Sequence, residues 1–240
     1  MTQALHPLTA SMVNQLNRVD VISNNLANAN TKGFKEDALV EGSFNNYLEK
    51  KIQKDQPTDK ESVVMNTIPK IDGSFMDEQM GSIKSTGNTL DFALNQRDMF
   101  FKIKKPNGEQ QLTRDGSFKV LDGQLVTQNG DLVLDKQNNP ITVNNDKELS
   151  TDIGVVKTPF TNLTKVGDNN YKVNNSDEMV EVVRGADYTL RGAIETSNVN
   201  TIKSMVQLIE AQREFERSQK AITSIDAING KVIDSIGNGR

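Results

Sequence analysis

Cysteine is absent from the chain, which excludes disulfides, thiolate zinc sites and a cysteine nucleophile, and leaves the redox compartment unreadable from thiols. Histidine occurs once, at position 6. A Ser-His-Asp arrangement would have to recruit that residue from the end of the chain, so a surface or interface role for His6 is the better reading. No apolar run reaches the roughly 18 to 20 residues that a membrane span needs. Polar Thr2, Gln3 and Asn14 stand where a cleavable signal peptide would carry a basic start and an apolar centre. Membrane insertion and export by a cleaved signal are therefore not expected. Lysine and arginine are scattered and the net charge is -4, so the basic footprint that phosphate contacts require is missing and no nucleic-acid partner is expected.

What is present is 240 residues, 35% apolar and 25% charged, with a mean hydropathy of -0.55. That length buries a real core, yet the composition is polar enough that part of the chain is expected to lack a core of its own. From Leu5 to Leu26 apolar residues fall at Leu5, Leu8, Met12, Val19, Ile22 and Leu26, in steps of three and four with Gln15 interrupting. This predicts an amphipathic helix with a narrow seam. Asn30 and Gly33 supply turn residues that end it. The stretch from Glu49 to Glu61 is charged and contains Gln and Pro, which reads as an exposed connector.

Between Leu90 and Val143 the period changes to two, with short runs split by Asn107-Gly108, Asp115-Gly116, Asp122-Gly123 and Asn129-Gly130. Those dipeptides favour tight hairpins and predict a β meander. Further short β runs follow at Ile153 to Val156, Asn170 to Val173 and Met179 to Val183. From Ser197 to Ile236 helical spacing returns at Leu208, Ala211, Phe215, Ile222, Ile225, Val232 and Ile236, with Asn200 as the expected N-cap. The expected fold is α+β, with N- and C-terminal helices forming an elongated coiled-coil-like pair around a central mostly-β domain. The expected division is 1–36 as N-terminal helix and turn, 37–88 as extended connector, 89–196 as β domain and 197–240 as C-terminal helix.

Two seam-bearing helices at opposite ends of one chain can bury their stripes on each other. Seam burial alone falls short of the backbone entropy of ordering some 60 residues, so folding of the ends is expected to be linked to binding of neighbouring subunits. The residues expected at the assembly interface are Leu5, Leu8, Met12, Leu16, Val19, Ile22, Asn24, Asn25, Leu26 and Asn28, together with Leu208, Ala211, Phe215, Ile222, Ile225, Val232 and Ile236. An asparagine at a packed seam fixes register by penalising alignments that leave its amide unpaired, while an asparagine on the polar face is merely solvated. Both readings stand for Asn14, Asn17, Asn24, Asn25 and Asn28.

The run Arg18-Val19-Asp20-Val21-Ile22-Ser23-Asn24-Asn25-Leu26-Ala27-Asn28-Ala29-Asn30-Thr31-Lys32-Gly33-Phe34-Lys35 resembles the N-terminal signature of flagellar rod and hook proteins. Ser197-Asn198-Val199-Asn200 leading into Met205 to Glu216 is similar to that family's terminal helix. Leu90 to Leu94, Phe100-Phe101, Leu112 to Phe118 and Gly123 to Thr127 resemble its β domain. The resemblance thins between Ser43 and Ile83 and between Asn144 and Leu190. One departure is Asn95-Gln96-Arg97-Asp98-Met99, which has no glycine where the family often has a glycine-rich turn. That loop, the modest length and the charged connector look most like the proximal-rod member related to the distal-rod protein.

The resemblance implies a non-enzymatic structural subunit of the bacterial flagellar basal-body rod, polymerising into the hollow drive shaft that transmits torque for motility. It implies partners that are other copies of the chain, neighbouring rod proteins and the flagellar export apparatus. It implies a periplasmic location reached without a cleavable signal, with no cofactor, metal or small-molecule substrate. The alternatives are a ligand-recognising β domain on a coiled-coil stalk, or a distal-rod or hook member of the same family.

Candidate chemistry has a plainer explanation throughout. Asp77-Glu78 reads as solvated charge, since paired-carboxylate catalysis needs a separation in space that sequence does not give. Arg114-Asp115-Gly116 reads as a turn between strands, with Arg114 free to pair locally. Asp168-Asn169-Asn170 and Asp135 to Asn139 lack the terminal bidentate Glu of a calcium loop and read as turns. Asn162-Leu163-Thr164 and Asn174-Asn175-Ser176 match a glycosylation acceptor pattern that is too short to carry weight.

Overall fold

The computed structural model describes residues 5–42, 70–143, 153–181 and 187–237. The run of helix formers without internal proline after Pro7 forms α1, Leu5–Ala27, and the C-terminal periodicity forms α2, Thr201–Gly237. Helix α2 starts directly after Asn200, which leaves that residue at the N-cap position. At about 1.5 Å per residue α2 is roughly 55 Å long. No helix among the described residues is long and apolar enough to cross a membrane.

The chain divides into two units. The first contains residues 1–26, 37–75 and 201–240, with all but the last residue of α1 and the whole of α2, and it also contains strand β1 (Asp37–Gly42) and all but the last residue of β2 (Lys70–Met76), which pair with each other. Most of the expected 37–88 connector that is described is thus strand. The charged run from Glu49 to Glu61 lies outside the described residues. The second unit contains residues 27–36 and 76–200. Its membership differs from the expected boundary at 36: the Thr31–Lys35 turn has its hydrogen bonds in the β unit, for reasons given below.

The β unit is built on a sheet whose main path runs β11 (Leu163–Gly167), β12 (Asn170–Val173), β6 (Gln110–Thr113), β5 (Met99–Lys104), β9 (Leu132–Val133), β8 (Gln124–Val126), β7 (Lys119–Leu121). Strand β10 (Val155–Lys157) pairs antiparallel with β5 and with β13 (Val180–Glu181). Two short antiparallel pairs flank this sheet: β3 (Ile83–Ser85) with β15 (Ala193–Glu195), and β4 (Phe92–Leu94) with β14 (Thr189–Arg191).

Three of the four expected hairpin dipeptides do turn hairpins. Asn107-Gly108 joins β5 to β6, Asp122-Gly123 joins β7 to β8, and Asn129-Gly130 joins β8 to β9. Asp122 and Gly123 both have positive φ, 50° and 77°, as a type I′ turn demands. Asp115-Gly116 does not turn a hairpin, because β6 and β7 lie apart in the sheet and the segment crosses between them. Gly116 serves close approach instead: its carbonyl accepts from Phe92 N–H at 2.9 Å, and a Cβ there would lie 1.8 Å from the Phe92 carbonyl oxygen. The sheet is therefore not a simple meander.

Successive side chains on a strand face opposite ways, and Phe100-Phe101 uses this to anchor two cores. Phe101 packs edge-on to Phe118 at 5.3 Å, in a cluster with Phe92, Leu125, Val133 and Ile153. Phe100 packs edge-on to Phe160 at 5.2 Å and to Tyr171 at 5.4 Å, in a cluster with Leu112, Val156 and Leu163.

Candidate functional site

Two arrangements stand out, one in each unit. In the helical unit, the residues of α2 that are buried or half-buried run Ser204, Leu208, Ala211, Phe215, Ser218, Ile222, Ile225, Asn229, Val232, flanked by Gln207 and Ala221. The steps alternate four and three throughout, which is the a/d spacing of a coiled-coil seam. Ser204 and Ala211, each 2% exposed, and then Ser218 place a small side chain at every seventh position.

On α1 the matching stripe is Leu8, Met12, Gln15, Val19, Ile22 and Leu26, half-buried except for the buried Ile22. Leu16, expected at the interface, is 46% exposed and lies off this stripe, because Gln15 occupies the seam position. The Gln15 side-chain amide oxygen, Oε1, is buried without a hydrogen-bond partner among the described residues. Leu5 and Ile236 lie in the helices, with side chains outside the described residues.

The asparagines divide. Asn25 is buried, donates Nδ2–H to the Asp37 carbonyl at 2.8 Å and accepts the Asp37 N–H at 3.0 Å. Its partner is thus the returning backbone at the start of β1 and not a residue across the seam. Asn24 is exposed, and Asn28, half-buried, accepts a hydrogen bond from the Thr31 hydroxyl at 3.1 Å. A second set of apolar side chains on the helices faces water: Ile202, Met205, Val206 and Ile209 on α2, at 50% exposure or more, and Val13 on α1.

In the β unit, sequence reasoning missed a buried charge cluster. Glu195, the last residue of β15, accepts Lys35 Nζ at 2.7 Å and the Gly81 N–H at 2.9 Å on Oε1, and Arg114 Nε at 2.8 Å and Nη2 at 2.7 Å on Oε2. All three side chains are fully or almost fully buried. Arg114 is not paired locally as the sequence suggested; its ion partner is 81 positions away. Its remaining N–H groups donate to the Arg97 carbonyl at 2.5 Å, the Met99 carbonyl at 2.7 Å and the Gln96 carbonyl at 3.1 Å. All five guanidinium donors are thereby used. The glycine-free loop Asn95 to Met99 is the wall that receives them.

Two cations and one anion leave the cluster net positive, and the carbonyls of Gln79, Gln96, Arg97 and Met99 supply the balancing partial charge. Burial holds the Lys35 ammonium below the usual lysine range, Arg114 pushes the same way, and Glu195 opposes both. Nearby, burial pushes the Asp115 carboxyl above the usual range, against the hydrogen bonds it accepts from Ser117.

The cluster depends on how Thr31 to Lys35 docks. Gly33 has φ +67°, donates its N–H to the Glu195 carbonyl at 2.9 Å, and would place a Cβ 2.6 Å from the Arg114 carbonyl carbon and oxygen. Only glycine fits there. Asn169 Nδ2 donates to the Lys32 carbonyl at 2.8 Å, and Lys165 donates to the Lys35 carbonyl at 2.7 Å while lying 4.5 Å over the Phe34 ring. The turn at Asp168-Asn169 has positive φ at both residues, 52° and 58°, which makes it a hairpin turn between β11 and β12. Asp135 likewise accepts the N–H groups of Gln137 and Asn139 at 2.8 Å, a turn and not a calcium loop. Asp77 caps the Gln79 N–H at 2.9 Å, and Glu78 lies 3.9 Å from Arg97 at the surface. Among the described residues no group of three or more His, Cys, Asp or Glu is placed to hold a metal.

A seam-bearing helix near each end, a β unit between them and a buried Arg114 whose donors are all spent on internal bonds fit the architecture of a structural subunit. Family models agree along the chain. "Flagella basal body rod protein" matches residues 11–35, "Flagellar hook protein FlgE/F/G D1 domain" residues 96–158, and "Flagellar basal body rod FlgEFG protein C-terminal" residues 190–235. The flagellar basal-body rod protein FlgG of Borreliella burgdorferi is 30% identical, with 96% of this chain and 97% of the relative covered. The rod protein FlgF of Caulobacter vibrioides is 29% identical with 99% of each covered, and FlgG of Buchnera aphidicola subsp. Baizongia pistaciae is 29% identical with 89% and 92% covered. The chain belongs to the flagellar basal-body rod protein family and is a structural subunit of the flagellum. FlgF and FlgG relatives match at nearly equal identity.

Proposed function

We propose that α1 and α2 pair as a coiled coil through their facing seams, and that this paired end packs against further copies of the chain and neighbouring rod proteins to build a hollow, torque-bearing shaft in the periplasm. The observation that carries this reading is the unbroken four-three alternation from Ser204 to Val232, in the same compact unit as a matching stripe on α1. Small residues at Ser204, Ala211 and Ser218 admit a close partner helix, with Leu208, Phe215 and Ile222 filling the space between. Ile202, Met205, Val206 and Ile209 then face outward, where a neighbouring subunit would cover them. Delivery by the flagellar export apparatus without a cleaved signal belongs to the same proposal, as does a proximal position in the rod.

The test separates the two faces. Val206→Asp and Ile202→Asp change only exposed positions, so the soluble subunit is expected to keep its melting profile while basal bodies purified from a complemented deletion strain lack complete rods. Normal rods and normal swimming from both variants would sink the proposal.

A further inference from the structure

The backbone passes between the two units at four places: 26/27, 36/37, 75/76 and 200/201. On the β-unit side, three of these passages are tied to one another by a closed ring of hydrogen bonds. Glu36 N–H donates to Asn198 Oδ1 at 2.7 Å, Asn198 Nδ2 donates to the Asp77 carbonyl at 3.1 Å, and Asp77 N–H donates to the Glu36 carbonyl at 2.8 Å. Each member residue both donates and accepts, and the Asn198 amide does so through one conjugated group, so its two bonds strengthen each other. Asn198 adds Nδ2 to the Gln79 carbonyl at 3.2 Å, and its own N–H donates to the Phe34 carbonyl at 3.3 Å. Beneath the ring, Lys35 spans from Glu195 to the Gln79 carbonyl, bonding the same three segments a second time. The fourth passage is held indirectly, since Gly33 N–H donates to Glu195 only a few residues after it.

We infer that Asn198 is a positioning residue for torque transmission: its side-chain amide splices three of the chain's passages into the β unit, so that force arriving along any one of them is shared by the whole unit. Sequence-distant segments joined only by peptide bonds would be pulled out one at a time, each opposed by its own few contacts. Segments joined through one ring, above a buried ion cluster, open only together. The asparagine amide suits this because it offers an acceptor and two donors within one short, rigid group. The ring is half-buried, and all its members lie within the β unit. This inference rests on the proposal that the chain bears load in the rod.

The experiment uses the full chain, expressed in a strain from which its gene is deleted. Asn198→Ala removes every side-chain bond of the ring. Asn198→Asp keeps the acceptor for Glu36 and removes the donor to Asp77 and Gln79. In the purified subunit, Asn198→Ala is expected to speed amide exchange at Glu36 and Asp77 about tenfold with little change at the sheet amides of β5 and β6. Asn198→Asp is expected to speed exchange at Asp77 more than at Glu36. In cells, both variants should assemble complete rods and swim in dilute medium, then lose several-fold more speed than wild type as viscosity is raised. Unchanged exchange at Glu36 and Asp77, absent rods from Asn198→Asp, or a wild-type response to viscosity would each overturn the inference. Normal swimming by the deletion strain itself would instead remove the rod reading on which it stands.

Discussion

Lys35 and Glu195 are 160 residues apart in the chain, yet their charged groups meet at 2.7 Å with both side chains shut off from solvent. The same carboxylate holds Arg114. Because the cluster holds two cations and one anion, its members are not equivalent. Glu195→Gln would leave two buried cations facing an amide and is expected to cost about 3 to 5 kcal/mol. Lys35→Met would leave a neutral Arg114–Glu195 pair and lose two hydrogen bonds, for about 1 to 2 kcal/mol. Urea unfolding of the purified subunit measures both; equal losses would show that the carboxylate is not the centre of the cluster.

A pH dependence follows from the lysine. Its folded pKa is lowered by burial, so in the window between that value and the ordinary lysine value the folded state binds fewer protons than the unfolded state. Stability must then rise with pH across that alkaline window. The Lys35→Met variant should lack this rise, read as the difference between the two unfolding curves at several alkaline pH values.

Gly33→Ala is expected to be more damaging than its one added methyl suggests. The residue would sit at φ +67° and press its Cβ to 2.6 Å from the Arg114 backbone. The left-handed conformation alone costs about 1 to 2 kcal/mol, and the clash displaces the segment that carries Phe34 and Lys35. Thermal melting of the variant should fall by several degrees, and restoration to the wild-type midpoint would require a compensating shift at Arg114.

What the sequence disclosed and what it hid divide along a physical line. The helices, the seam spacing and most hairpins follow from periods and turn residues within a few positions of one another, and these were legible: Asp122-Gly123 and Asn129-Gly130 turn as their chemistry demands. The seam shift by which Gln15 displaces Leu16 follows from the same spacing, since 8, 12, 15 and 19 keep the four-three alternation and 16 does not. Asp115-Gly116 misled because Asp-Gly signals a turn only when the flanking strands pair, and β6 and β7 do not. The Lys35–Glu195–Arg114 cluster was hidden because it joins positions 35, 114 and 195, and nothing local marks an ion partner so distant. The one available signal was a cationic residue directly after Gly33-Phe34, in a segment too short to be helix and with no role in the seam.

Asp115 gives a prediction at the acid end. Burial raises its pKa above the ordinary aspartate value, so between those two values the folded state binds more protons than the unfolded state. Its contribution to stability falls as pH rises through that window and is constant above it. Asp115→Asn keeps an acceptor for the Ser117 N–H and hydroxyl and removes the charge. The variant should gain stability relative to wild type on going from acid to neutral pH. A difference that stays flat with pH would mean that the Asp115 carboxylate meets no net penalty when folded.

The seam and the exposed face make opposite demands on substitution. Leu208→Asp or Phe215→Asp places a charge on the half-buried stripe of α2 and is expected to cost several kcal/mol in any state where that stripe is packed, abolishing rod assembly. Leu16→Ser, at a position 46% exposed on α1, should change subunit stability by less than about 0.5 kcal/mol. Intact rods from both seam variants, counted in purified basal bodies, would contradict the seam assignment.

Truncation shows where the β unit begins. A chain starting at Ala27 keeps the Thr31–Lys35 turn, whereas one starting at Glu36 loses it. The turn contributes the buried Phe34 side chain, worth about 1.5 to 3 kcal/mol. It also contributes hydrogen bonds from Gly33 to Glu195, from Asn169 to Lys32 and from Lys165 to Lys35, each worth about 1 kcal/mol. Deleting it also removes the Lys35 side chain from Glu195 and Gln79, about 1 to 2 kcal/mol more, so the cost to the β unit is expected to be on the order of 6 to 8 kcal/mol in urea, against little change for the longer chain. That gap assigns the Thr31–Lys35 end of the N-terminal signature to the β unit's fold, while Leu8 to Leu26 remain available to the helical assembly. Equal stability of the two truncated chains would place the whole signature with the helices.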